Sequence, residues 1–335
     1  MPLIRSIHLV PLALLASCSC NKDKCDTDEV CPDTGLAFAS VIADDIPGGV
    51  LLSAWSPGQD VYIVGSQFGE GKGVILKYTA DGDLCVENDD PGEALWWIHG
   101  QSADDWYAVG ENGAILHNQG GTITREDVAT SAKLFGVFDD GTDVWAVGGD
   151  IDALTGEVWR KTADTWTKVY DAPDILFKVW NNWVVGASGQ VMYWNGTAFE
   201  DRSPSDERFL TVHGSAADDV WVVGGLQTPV IWHYQAGTWT EHSLEPICGS
   251  QGLMGVWTGP GEDVWVSGMA GTTAVFDGTN WTCADFPISS SHFHAVWKQN
   301  SDVLFVGGNF LGPAPYVGTV ATLGNGDVQS VGACK

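Results

Sequence analysis

Basic residues are scarce in this chain. Fifteen Lys and Arg stand against 43 Asp and Glu in 335 residues, a formal net charge of −28. A surface so poor in cations cannot neutralise a phosphate backbone or settle by charge on an anionic bilayer, so nucleic-acid binding is excluded. Long apolar runs are also missing: Leu9–Ala16 is too short to span a membrane. No GxSxG, HExxH, GxxxxGK[ST] or GxGxxG phrase stands in a context that would support nucleophilic, metal or nucleotide chemistry. Beyond Arg5 the arginines are Arg125, Arg160, Arg202 and Arg208, spread over strands and one loop, so an axial arginine clamp for a carboxylate is not expected. What is present points to fold. Hydrophobic residues make up 44%, enough for a substantial core, and 42 Gly with 17 Trp favour many short strands joined by tight turns.

Residues 1–17 join an early Arg5 to a short apolar stretch, as a secretory signal does. Leu15-Ala16-Ser17-Cys18 resembles the bacterial lipobox, which implies cleavage before Cys18 and lipidation of its thiol. An ordinary signal peptide with a structural cysteine nearby is the plainer alternative. Residues 18–35 then read as an acidic, Cys-rich tether and 36–335 as the folded domain. Eight cysteines occupy positions 18, 20, 25, 31, 85, 248, 283 and 334. An exported compartment permits disulfides, whose connectivity the spacing leaves open. Cys248 and Cys283 form one candidate pair, and Cys334 could reach the tether cysteines.

One phrase recurs seven times: DVYIVG (60–65), DWYAVG (105–110), DVWAVG (143–148), NNWVVG (181–186), DVWVVG (219–224), DVWVSG (263–268) and DVLFVG (302–307). Each follows a second phrase: LLSAW (51–55), LWWIH (95–99), LFGVF (134–138), LFKVW (176–180), FLTVH (209–213), LMGVW (253–257) and FHAVW (293–297). Two further short runs complete most repeats. Runs of about five residues suit strands, and their unbroken apolarity means that both sheet faces are covered. A repeat of about 40 residues with four strands predicts an all-β, seven-bladed β-propeller of four-stranded antiparallel blades. The LxxVW phrase is then strand a, nearest the axis, and DVWAVG is strand b. The Asp opening strand b (Asp60, Asp105, Asp143, Asp219, Asp263, Asp302) is expected to bond local backbone in an Asx-type turn rather than join a ring of cation ligands. Trp145, Trp221 and Trp265 are expected to pack between blades, and the closing glycines to use positive φ. Residues 36–42 and 327–331 both resemble a fourth strand, so one is expected to close the last blade and the other to pad its edge.

With these repeats the chain resembles bacterial exported lipoproteins with DDVWAVG-type propeller blades. It is more distantly similar to photosystem-assembly propellers and to Asp-box propellers, whose motif Asp277-Gly278-Thr279-Asn280-Trp281 meets only in part. The resemblance implies an exported protein, lipid-anchored in the bacterial cell envelope at the outer membrane or cell surface. It carries no shared activity.

Residues that the fold demands recur in every blade, so functional residues are sought where blades differ. The connections leaving strand b and those between blades vary most and share one rim, where Phe68, Trp97, Phe310 and Tyr316 are candidate binding residues. His292 and His294 form an HxH that could begin a metal site, but no third ligand can be named, and packing or surface exposure is the preferred reading. His99 and His213 replace an aromatic of strand a and are read as packing. Calcium is the cation best suited to so acidic a chain, with Asp139 and Asp140 as candidates, although no EF-hand pattern is present and solvated turns explain the same residues. The expected function is a non-enzymatic, monomeric, membrane-anchored propeller that binds protein or glycan partners through its variable-loop face. A carbohydrate-active hydrolase with an axial carboxylate pair is the alternative, and an envelope assembly scaffold a third reading.

Replacing Cys18 by Ser should release the protein from membranes on fractionation. Retained lipid labelling of the Cys18→Ser variant would refute the anchor.

Overall fold

The computed structural model describes residues 38–42, 46, 48–68, 70–245, 248, 251–284, 291–309, 314–324, 328 and 331–334. Cys18, the signal and tether segments and Phe310 lie outside the described residues. The described chain forms seven antiparallel sheets, each built outward from an LxxVW strand. The innermost strands are Val50–Trp55, Leu95–Ser102, Lys133–Asp139, Leu176–Trp180, Phe209–Ala216, Leu253–Trp257 and His292–Gln299, which begin blades 1 to 7. The protein is a seven-bladed β-propeller.

The near-continuous apolarity of strand b follows from the way its side chains divide between two interfaces. In blade 3, Val144 and Ala146 pack with blade 2 residues such as Tyr107 and Val109, while Trp145 and Val147 pack with blade 4 residues such as Val179 and Val184. Each buried valine contributes about 1.5–3 kcal/mol by burial, and Ala146 less. Seven hydrophobic clusters lie at the seven blade interfaces, and an eighth, around Leu52, Trp96 and Phe135, caps one end of the axis.

Two features recur at the head of every strand a. The residue after the first Leu or Phe is a β-bulge: the pairing with strand b skips Leu52, Trp96, Phe135, Phe177, Leu210, Met254 and His294. Opposite the bulge stands the closing glycine of strand b. A Cβ on Gly65, Gly110, Gly148, Gly186, Gly224, Gly268 or Gly307 would lie 1.8–2.4 Å from a main-chain carbonyl oxygen at the entry to strand a. None of the seven has a positive φ. The expectation of positive φ is therefore corrected: these glycines permit a close backbone approach.

The Asp of strand b also differs from expectation. It reaches across to strand c: Asp105 to His117 Nε2 at 3.0 Å, Asp143 to Arg160 Nη2 at 2.5 Å and Thr162 Oγ1 at 2.7 Å, and Asp219 to His233 Nε2 at 2.6 Å. Asp60 accepts from Ala80 N at 3.1 Å. The strand-b aromatic covers the same partner, with Tyr107 on His117 and Trp221 on His233 stacked at 4.1 and 4.0 Å and Arg160 over Trp145 at 4.9 Å. Asx-type turns occur elsewhere, at Asp140, Asp150, Asn195 and Asp277, each accepting two successive backbone N–H groups.

The N-terminal run closes the last blade, one of the two expected arrangements, while the C-terminal run goes elsewhere. The N-terminal strand Phe38–Ile42 is the fourth strand of blade 7, antiparallel to Gly318–Leu323. The C-terminal strand Val331–Ala333 adds a fifth, parallel strand to blade 1 instead of padding blade 7. Cys334 pairs with Cys85 in that blade and not with the tether. The second disulfide joins Cys248 to Cys283, as anticipated.

Gly148→Ala should destabilise the propeller by about 2–4 kcal/mol, because the clash is with backbone, while Gly58→Ala, where a Cβ meets nothing within 4 Å, should be near neutral. Thermal unfolding distinguishes them. Equal melting temperatures would contradict the close-approach account.

Candidate functional site

The bulge turns one side chain per blade toward the axis. Leu52, Trp96, Phe135, Phe177, Leu210, Met254 and His294 thus head the axis on the face where the b–c and interblade connections emerge, here called the upper face. Three places further on, Trp55, His99, Phe138, Trp180, His213, Trp257 and Trp297 form a second ring. Its members touch in sequence at 4.3–6.3 Å, and His213 meets Trp297 across the ring at 6.3 Å, so aromatics fill the lower end. His99 and His213 are packed members of this ring. Burial holds them neutral, at about 3 and about 4, and each accepts a backbone N–H through Nδ1.

A cavity of about 240 Å³ opens among the first-ring side chains toward the upper face. Its wall is Trp96, Phe135, Phe177, Leu210, Met254 and Met269, with Ile151 and Leu226 at the mouth. Phe68 and Tyr316, two of the sequence-derived rim candidates, back this wall: Phe68 lies 5.0 Å from Trp96 and 5.5 Å from Tyr316, and Trp96 lies 4.9 Å from Phe135. The Gln67 side-chain amide donates to Tyr316 O at 2.7 Å and accepts from Tyr316 N at 3.2 Å, fixing the b–c connections of blades 1 and 7 together. Trp96 Nε1 donates to Glu111 Oε1 at 3.0 Å. The Cys248–Cys283 bridge holds the connection between blades 5 and 6 on this face.

Trp97 stands one layer further in than the rim. Its ring lies 4.2 Å from the Nζ of Lys178, a residue that sequence reasoning passed over. Lys178 is 3% exposed, lines the cavity and donates to Phe135 O at 2.6 Å. Arg208, exposed to solvent, lines the cavity too, its guanidinium 5.9 Å from the Phe177 ring; a single arginine there forms no axial clamp. Arg202 lies elsewhere, over Tyr193. Eight of the eleven described lysines and arginines have a described carboxylate within 4 Å; Lys72, Lys178 and Arg208 do not. In a chain with nearly three acids per base, two unpaired cations on one apolar cavity are the site's distinguishing chemistry. The signal was present in the sequence: position three of strand a reads Ser53, Trp97, Gly136, Thr211, Gly255 and Ala295, and lysine only at 178.

The HxH pair is not brought together. The bulge at His294 interrupts the strand alternation, so His292 accepts from Ala270 N in blade 6 at 3.0 Å while His294 Nδ1 meets Leu52 O of blade 1 at 2.6 Å. Burial, with the Lys178 charge adding to it, lowers His294 to about 3. Asp139 Oδ1 accepts from Gly141 N, and Asp140 Oδ1 from Thr142 N and Asp143 N. Among the described residues no three His, Cys, Asp or Glu side chains converge as metal ligands. Among the described residues the cavity wall carries no carboxylate. A larger groove of about 480 Å³ between blades 5 and 6 opens on the opposite face, but it is polar, and its Asp219 and Asp277 are engaged by His233 and by turn N–H groups.

The sequence matches no protein-family profile and no curated protein. Solved structures do match. YCF48 bound to a D1 peptide superposes with a TM-score of 0.61 at 14% identity, over 84% of this chain and 97% of that one. The WD40 propeller domain of Doa1 gives 0.62 at 12%, over 86% and 97%. YCF48 from Cyanidioschyzon merolae gives 0.58 at 12%, over 85% and 99%. At these identities the likeness establishes the β-propeller fold.

Burial pushes the Lys178 ammonium down from near 10.5 to about 7. Between about pH 7 and 10 the unfolded chain therefore holds a proton that the folded state has released, and stability rises with pH across that window. The cost below pH 7 is of the order of 4–5 kcal/mol, against about 1 kcal/mol for the hydrogen bond to Phe135 O. Lys178→Met should thus melt above the parent at pH 6–7, with the gain shrinking toward pH 10. A variant that melts lower at pH 7 would contradict this reading.

Proposed function

We propose that the protein is a binding propeller that receives an extended segment of a protein partner on its upper face, tethered to the cell envelope through lipidated Cys18. One observation carries the reading. Among the described residues the large hydrophobics exposed to solvent are Ile151 (46%), Leu154 (56%) and Leu226 (47%), and all three sit in b–c connections of the upper face, two of them at the cavity mouth. Exposed aliphatic groups beside an apolar cavity mark an interaction surface. Aliphatic groups suit the side chains of a peptide better than the hydroxyls of a glycan. The length of the GDIDALT connection (149–155), which presents Ile151 and Leu154, has no role in closing blade 3, where ASG (187–189) suffices for blade 4. YCF48, a propeller of similar fold, has been solved with a peptide, which is consistent with this use of the architecture.

Ile151→Asp with Leu226→Asp should reduce partner recovery from native envelope extracts at least tenfold, by placing two carboxylates on the apolar mouth. Thr238→Lys, exposed on the opposite face, should leave recovery unchanged. The reverse pattern would sink the upper-face reading.

A further inference from the structure

We propose that the axial cavity is a receptor for the C-terminal residue of the partner, with its apolar side chain against Trp96, Phe135, Phe177 and Met254 and its terminal carboxylate on Lys178 Nζ. This rests on the upper-face reading above and specifies what that face recognises.

The floor of the cavity is built for one anionic oxygen pair. Lys178 has three N–H donors. Phe135 O takes one at 2.6 Å, the face of Trp97 lies 4.2 Å from Nζ, and no described carboxylate is within ion-pair distance. Arg208, exposed to solvent, also lines the cavity and has no described carboxylate within 4 Å. His294, held neutral beside them, adds no competing charge. A volume of about 240 Å³ corresponds to about eight water molecules, the room of a single amino-acid residue and not of a folded element.

The remaining wall discriminates among carboxylates. An internal Asp or Glu would bring the charge but leave Phe177, Leu210 and Met254 without an apolar partner, and its chain would have to enter and leave through one mouth. Inorganic phosphate offers no apolar body for the wall of Phe177, Leu210 and Met254. A C-terminal residue carries an apolar side chain and a carboxylate on the same Cα, and its chain leaves in one direction, past Ile151 and Leu226. The net charge of −28 opposes an anion at long range, but that field is screened beyond about 8 Å at physiological ionic strength, whereas the contact at Lys178 is buried and screened little. A charge-assisted hydrogen bond in such surroundings corresponds to at least a tenfold preference for acid over amide.

The test uses probes that need no knowledge of the partner. N-acetyl-phenylalanine and N-acetyl-leucine, as free acids and as amides, and decanoate are titrated at pH 6 into the full mature chain carrying 13C-labelled lysine. The Lys178 side-chain signal is assigned by its loss in Lys178→Met. The acids should shift that signal in the millimolar range expected for fragments and bind at least tenfold more tightly than the amides. They should also raise the pH midpoint of Lys178, and Lys178→Met should lose the acid–amide difference while still melting cooperatively. Equal affinity of acids and amides, or no shift with the acids, overturns the proposal. So does decanoate binding tenfold more tightly than either amino-acid probe, which would assign the cavity to a lipid carboxylate. Loss of partner recovery in Ile151→Asp with Leu226→Asp, alongside equal acid and amide binding, would leave upper-face recognition standing and remove only the C-terminal claim.

Discussion

Everything above the fold's core depends on one close approach. In each blade the residue that closes the strand-b phrase comes so near a carbonyl at the entry to strand a that only glycine fits, and the residue after the first Leu or Phe of strand a leaves the ladder as a bulge. That pairing separates two neighbouring side chains. The first, Leu or Phe, enters the interface between blades; the second turns to the axis. Seven repetitions of this event give an axial ring of six large apolar side chains and His294, and hence a cavity whose wall comes from several blades. The ring is then locked by the N-terminal strand in blade 7 and by the Cys85–Cys334 bridge in blade 1.

Within that frame Lys178 is a local inconsistency. A lysine placed among Trp97, Phe135 and His294 loses hydration that one carbonyl and one aromatic face only partly replace. The sites around it show what this chain does with cations when structure alone decides: Arg160, Lys161 and Lys133 each reach a carboxylate at 2.5–2.9 Å. Residues that break the local rule at a measurable cost in stability are where function concentrates, and here the exception faces the cavity.

The architecture was legible because it is repeated. Seven copies of two phrases set the number of blades, the strand order and the inward role of the LxxVW strand, and unbroken apolarity marked both faces as covered. The physical reason for the closing glycines was not legible, since close approach and positive φ demand the same residue. The strand-b Asp misled for a similar cause: an Asx turn and a cross-strand bond to His117 or Arg160 differ only in partner. Trp97 reads as a rim residue in the sequence, because nothing there announces the bulge that sets it one layer in. Lys178 stands in plain view in LFKVW; only the three-dimensional ring shows that its slot is buried, without a described carboxylate partner, and lines the cavity.

The central claim is that one face, through one cavity, recognises a protein partner. Its most direct test is site-specific photo-crosslinking in intact cells, with a photoreactive side chain placed at Leu226 on the cavity mouth or at Thr197 on the opposite face, followed by mass-spectrometric mapping of the joined peptide. The structure predicts crosslinks from position 226 to the C-terminal peptide of a partner and none from position 197. Crosslinks of equal yield from both positions, or only from 197, would contradict it.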